Sequence, residues 1–115
     1  MARFSYDFQT PYTPEQVNAF LNDFAQKEGF EFTSRDGEQV LKKGSGWVTA
    51  PQFVKVLFSP GTVHIEAWIK FALLPGVYIG EQGLKGVFGF ALKDVLKTRV
   101  RNIIVGLGGT PPVDI

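Results

Sequence analysis

Residues 62–71 read Thr-Val-His-Ile-Glu-Ala-Trp-Ile-Lys-Phe and alternate without a break. Val63, Ile65, Ala67, Ile69 and Phe71 share one side; His64, Glu66, Trp68 and Lys70 share the other. A period of two over this length marks a strand with one face on a core and one face turned away from it. The layering of the whole chain follows from that two-sidedness.

Reading backwards, Ser59-Pro60-Gly61 is a turn and Gln52 to Phe58 is the preceding strand. Residues 44–46 are Gly-Ser-Gly, and Trp47 to Pro51 form a loop or strand extension. Glu38 to Lys43 and Phe30 to Arg35 are two further strands joined by the hairpin signal Asp36-Gly37, with Phe30 and Phe32 expected inward. Near the N-terminus, Phe4, Tyr6 and Phe8 alternate with Arg3, Ser5, Asp7 and Gln9, giving a first half-buried strand. A helix follows. Thr13 can cap it, Pro14 suits its first position and Gln16 completes a capping box. Val17, Phe20, Leu21 and Phe24 then recur at helical spacing, and Gly29 is the expected stop.

Reading forwards, residues 72–86 are a glycine-punctuated connection. From about Val87 to Leu107 the pattern is helical again, with Phe88, Leu92, Val95, Leu96, Val100, Ile103 and Leu107 in one broad stripe. Gly106-Leu107-Gly108-Gly109-Thr110-Pro111-Pro112 ends it. Residues 1–106 are therefore expected as a single domain and 107–115 as a flexible tail or linker. The short connections make strands two to five an antiparallel meander, and chain direction sets the first strand beside the fifth. The predicted fold is α+β: a two-layer, five-stranded antiparallel sheet of order 1-5-4-3-2, with two helices on one face and element order β-α-β-β-β-β-α.

This element order resembles the TATA-binding-protein-like fold and, more loosely, the helix-grip layout, whose long C-terminal helix crosses a curved sheet and can leave an apolar cavity. The stretches TPYTPEQ (10–16), GSGWVTAPQF (44–53) and AWIKFALLPGVYIGEQGLKGVFG (67–89) resemble a group of small uncharacterised bacterial domains. That resemblance implies family identity and no chemistry.

Composition excludes several function classes. The 115 residues contain no cysteine and one histidine, against eleven Phe and thirteen Gly. Disulfide scaffolds, zinc–cysteine sites, cysteine nucleophiles and histidine-rich metal sites are all ruled out. The net charge of +1 conceals two opposed halves. Residues 1–41 carry three basic and seven acidic side chains, residues 42–101 nine and three. Basic residues late in the second helix and Glu15 early in the first suit the helix dipoles; the basic helix could also attract an acidic partner. The first residues lack a secretory h-region, and the most apolar run, 67–80, is too short to span a bilayer. A cytoplasmic protein is expected.

Four features are candidate sites. The segment 73–80 is apolar where loops are usually polar: it is either a contact surface and ligand mouth or a loop folded under the second helix. Gly80, Gly83, Gly86 and Gly89 recur every third residue before a helix, with Lys85 beside them; anion binding and simple close packing both fit. No Walker, dinucleotide or other cofactor motif is present. On the outer sheet face, His64 beside Glu66 invites a general-base reading, but two-apart neighbours on a strand meet by default and no nucleophile accompanies them. Trp68 there either stacks a ligand or packs across strands. Arg99 sits inside the apolar stripe of the second helix, where it must snorkel, meet a ligand anion, or pair with a carboxylate such as Glu31 or Glu66.

The expected function is a non-catalytic binding or protein-interaction module, a protein partner or self-association being served by Trp68, Phe71, Leu74, Tyr78, Ile79, Phe88 and Arg99. The alternative is a small carrier holding an apolar or amphipathic ligand between the C-terminal helix and the sheet. No catalytic residue, metal or cofactor is assigned. Nucleic acid is not an expected partner, because Trp68 is the main aromatic the outer face offers.

Overall fold

A computed structural model describes residues 3–35, 37–44, 51–74, 77–82, 90–113 and 115; for 35, 70–74, 77–82 and 90–93 the description covers the backbone. The elements in chain order are β1 (Phe4–Gln9), α1 (Pro14–Glu28), β2 (Glu31–Arg35), β3 (Glu38–Lys43), β4 (Gln52–Ser59), β5 (Thr62–Leu74), β6 (Val77–Gln82) and α2 (Phe90–Gly106). The antiparallel sheet runs β1-β5-β4-β3-β2, as the alternation and short connections require. Both helices pack on one face, so the fold is two-layered α+β.

One departure concerns residues 72–86, expected as a connection. β5 continues to Leu74, and Val77–Gln82 returns along it as a sixth strand. The sequence carried the signal: Pro75-Gly76 is a turn dipeptide between two apolar runs, and Val77-Tyr78-Ile79 has strand character. Those two turn residues, like 45–50 and 83–89 with the later glycines of the series, lie outside the described residues.

Register settles which side chains share a face. Phe4, Ala67 and Val54 lie in one row, Tyr6, Ile65 and Val56 in the next, and Phe8, Val63 and Phe58 in a third. Against these rows α1 packs Val17, Leu21 and Phe24, and α2 packs Leu96, Val100, Ile103 and Ile104. The described part of the layer between α2 and the sheet is thus apolar.

α1 begins and ends as its caps dictate. Thr13 accepts from the Gln16 N–H, the Gln16 side chain accepts from the Thr13 N–H, and Gly29 closes the helix at φ 76°. Lys43 Nζ donates to the Glu28 carbonyl at 2.6 Å, placing a cation at the negative end of the helix.

Three other expectations change. Phe32, expected inward, is 53% exposed, because β2 is the edge strand and, among the described residues, has a neighbouring strand on one side only. Val95 is exposed, and Ile104, one turn from Val100 on the buried side, joins the core instead. Residues 107–115 are not a free tail. Leu107 is fully buried, its carbonyl accepts from Thr10 Oγ1 at 2.6 Å, the Thr110 carbonyl accepts from Tyr6 at 2.8 Å, and Ile115 joins the main core. The apolar side chains on either side of the Gly-Pro-rich stretch hold it against β1 and the start of α1. Among the described residues no helix is long and apolar enough to cross a membrane.

Candidate functional site: the outer sheet face and the β5–β6 ribbon

The face away from the helices is not simply solvated. Phe53 and Trp68 are directly opposed on β4 and β5, and their rings stack at 5.3 Å and 10°. Val40 joins them in a second, small apolar cluster. The Arg3 guanidinium lies 3.6 Å from the indole centroid, a cation–π contact in which a planar, weakly hydrated ion covers the ring. Trp68 is only 2% exposed, so it belongs to the outer face as its alternation demands but packs across strands rather than standing free. Its Nε1 is buried with no hydrogen-bond partner among the described residues.

Around this stack the strands assemble a chain of charges. Arg3 makes two 2.8 Å bonds to the Glu38 carboxylate and a third, at 3.0 Å, to Glu66. Lys55 reaches Glu38 at 2.9 Å. The far side of Glu66 meets His64 Nε2 at 2.8 Å, and His64 Nδ1 meets Asp7 at 2.6 Å. Six side chains are therefore linked: Arg3 from just ahead of β1, and the other five from β1, β3, β4 and β5. Alternation alone brings His64 and Glu66 together. Arg3 and Glu38 lie 35 positions apart, and only the strand register reveals that they meet.

The electrostatics follow from these contacts. Hydrogen bonds to Glu66 and then Asp7 raise the His64 pKa above its ordinary value of 6.5, because both carboxylates favour the imidazolium. Burial works against the Glu66 carboxylate, but hydrogen bonds from His64 and Arg3 outweigh it and lower its pKa. Hydrogen bonds from Arg3 and then Lys55 lower Glu38 to about 2. With a carboxylate at each ring nitrogen, His64 donates from both when it is protonated, and the ring is held fixed between β1 and β5. Among the described residues no group of three or more metal-ligating side chains is placed to hold an ion.

The expected site residues fall into three places. Trp68 lies in the outer stack. Phe71 and Leu74 stand on the distal half of β5, with Tyr78 and Ile79 on β6; the register sets Ala72 opposite Tyr78 and Leu74 opposite Val77. Phe88 lies outside the described residues. Arg99 is on the opposite side of the sheet from Trp68, so the two do not share a site. It bonds Glu28 at 3.0 Å and the Gln52 side chain at 2.7 Å, close to the Phe30 ring. Its partner is thus Glu28 rather than Glu31 or Glu66: Glu31 is exposed on the edge strand and Glu66 faces the other way.

The β5–β6 segment has a distinctive geometry. Ile69 pairs with Gln52 of β4 on one edge and Gln82 of β6 on the other, so β6 lies on the same side of β5 as β1. The pairing of β4 ends at Ile69 and that of β1 at Ala67. Beyond these points β5 and β6 run on as a two-stranded ribbon, with register irregularities between Lys70 and Leu74. Among the described residues, both outer edges of that ribbon are unpaired.

Comparison of the chain with protein-family models, with curated proteins and with solved structures yields no match.

Proposed function

We propose that this chain is a non-catalytic interaction module whose docking element is the ribbon of residues 70–82, with the outer sheet face beside it. One observation carries the reading: a hairpin of apolar sequence runs past the rest of the sheet with both edges unpaired among the described residues. A two-stranded hairpin on its own is marginally stable in water, and open apolar edges pair readily with another strand. A partner that adds a strand to either edge satisfies the backbone groups that the described chain leaves unpaired there. The outer-face network supports the same reading. Its charges are paired with each other, which leaves a fixed, pre-organised surface and no chemistry waiting for a substrate. The carrier alternative places its ligand between the start of α2 and the distal β5–β6 segment, whose side chains lie outside the described residues.

Amide hydrogen exchange on the purified protein tests the free ribbon, and a photo-crosslinking residue at position 79 tests its occupancy in cells. Exchange in 70–74 and 77–82 is expected to be much faster than in 62–69. A discrete adduct is expected from position 79, absent when the probe replaces Gln26 and lost with Leu74→Glu. Ribbon amides as protected as the central strands, or no adduct specific to position 79, overturns the reading.

A further inference from the structure

At the other edge of the sheet, β2 offers a second open strand, Glu31-Phe32-Thr33-Ser34-Arg35. Its inner edge pairs with β3 throughout, from Glu31 opposite Lys42 to Arg35 opposite Glu38. Its outer edge has no partner among the described residues. Phe32 stands exposed beside a shallow apolar groove lined by Asn18, Leu21, Leu41, Val56 and Phe58, where the helical layer stops short of the sheet edge.

We propose that β2 is a homodimer interface, pairing antiparallel with the β2 of a second copy about a two-fold axis at Thr33. Charge and register select a second copy as the occupant. Antiparallel pairing centred on Thr33 places Glu31 opposite Arg35 of the second copy, and the symmetry repeats that opposite-charge pair at the other end of the strand. Glu31 is exposed and makes no ion pair within the described chain, so it is available to this contact. Protective edge strands carry charge to repel a neighbour; here the two charges are of opposite sign and equidistant from the centre, so a second copy is attracted. The same register sets Phe32 opposite Ser34 of the second copy. The two Phe32 rings become diagonal neighbours, within reach of one another, and cover the open end of each groove.

The two sheets then continue into one, with the β5–β6 ribbons at its two outer ends. The pairing stands on β2 alone and does not depend on the ribbon's role. If both hold, the dimer presents two ribbons and binds a repeated partner with avidity.

Sedimentation velocity and cysteine cross-linking test the proposal. The chain has no native cysteine, so Thr33→Cys introduces the sole thiol, on the symmetry axis. Mild oxidation is expected to give a disulfide-linked dimer with Thr33→Cys and none with the exposed control Gln26→Cys. Glu31→Arg and Arg35→Glu each turn both cross-pairs repulsive and are expected to weaken dimerisation about tenfold. Combining them restores the attraction and the wild-type dissociation constant; because the double variant carries both substitutions, its recovery excludes misfolding as the cause. Ile79→Lys in the ribbon leaves the Thr33→Cys cross-link intact. A monomer at every concentration, or a dimer indifferent to both charge reversals, overturns the proposal.

Discussion

His64 lies between Asp7 and Glu66, and that position determines when it carries charge. Its pKa is raised above 6.5, so the folded state holds the proton more tightly than the unfolded chain. The resulting stabilisation is fully present below about pH 6.5 and is lost as pH rises through the folded value. Glu38 and Glu66 act in the opposite sense. Their lowered pKa values stabilise the fold above about pH 4.5, and this is lost on acidification, for Glu38 as pH falls to about 2. Together these groups stabilise the outer face most between about pH 4.5 and 6.5. Because the chain has one histidine, an NMR titration reads it without ambiguity. The midpoint is expected above 6.5 and should fall in Glu66→Gln, while urea midpoints decline from pH 6 to pH 9. An unshifted midpoint in Glu66→Gln would contradict the assigned contact. At this scale the sequence showed which residues share a face. It did not show that Arg3 covers Trp68, because that contact joins the residue ahead of β1 to β5 across a register that no local pattern specifies.

At the scale of elements, α1 is the most legible part of the molecule. Thr13, Pro14, Gln16 and Gly29 act within a few residues of one another, so the cap chemistry is written locally. The crossing of α1 and α2 is not local. Gly106, in the last turn of α2, lies so close to α1 that a Cβ there would collide with the Phe20 ring. Gly106→Ala is expected to destabilise the fold by about 1–3 kcal/mol, as overpacking of a close contact does. Urea denaturation measures it, and Phe20→Leu in the same chain should recover part of the loss through the shared contact. Additive effects of the two changes would mean that they do not meet. The sixth strand belongs to this scale as well. Its apolar run was visible, but a short apolar segment between glycines fits a loop under a helix as well as a strand. Only pairing with the extended β5 decides between them.

At the scale of the whole molecule, the C-terminal residues change role. A stretch with glycines at 106, 108 and 109 and prolines at 111 and 112 has linker composition, yet Leu107 and Ile115 enter the core. A Cβ on Gly109 would run into Phe8, so the glycine is what lets the chain pass this close to β1. Deletion of 107–115 is expected to cost about 2–4 kcal/mol, the burial of two large aliphatic side chains with their hydrogen bonds. For a chain of this size that lowers the melting temperature by roughly 10–20 °C. A deletion variant that melts with the full chain would show that the packing contributes nothing.

The sequence by itself determined the alternation of the strands, the caps of α1, the two-layer α+β architecture and the sheet order, because each depends on local periodicity, turn chemistry or chain direction. The tertiary structure alone decided what covers Trp68, why Phe32 stays exposed, that Arg99 answers Glu28, and that the last residues fold back. Each of those depends on the distance between segments remote in sequence, and side-chain periods of 2 and 3.6 say which face a residue takes but not what stands opposite it.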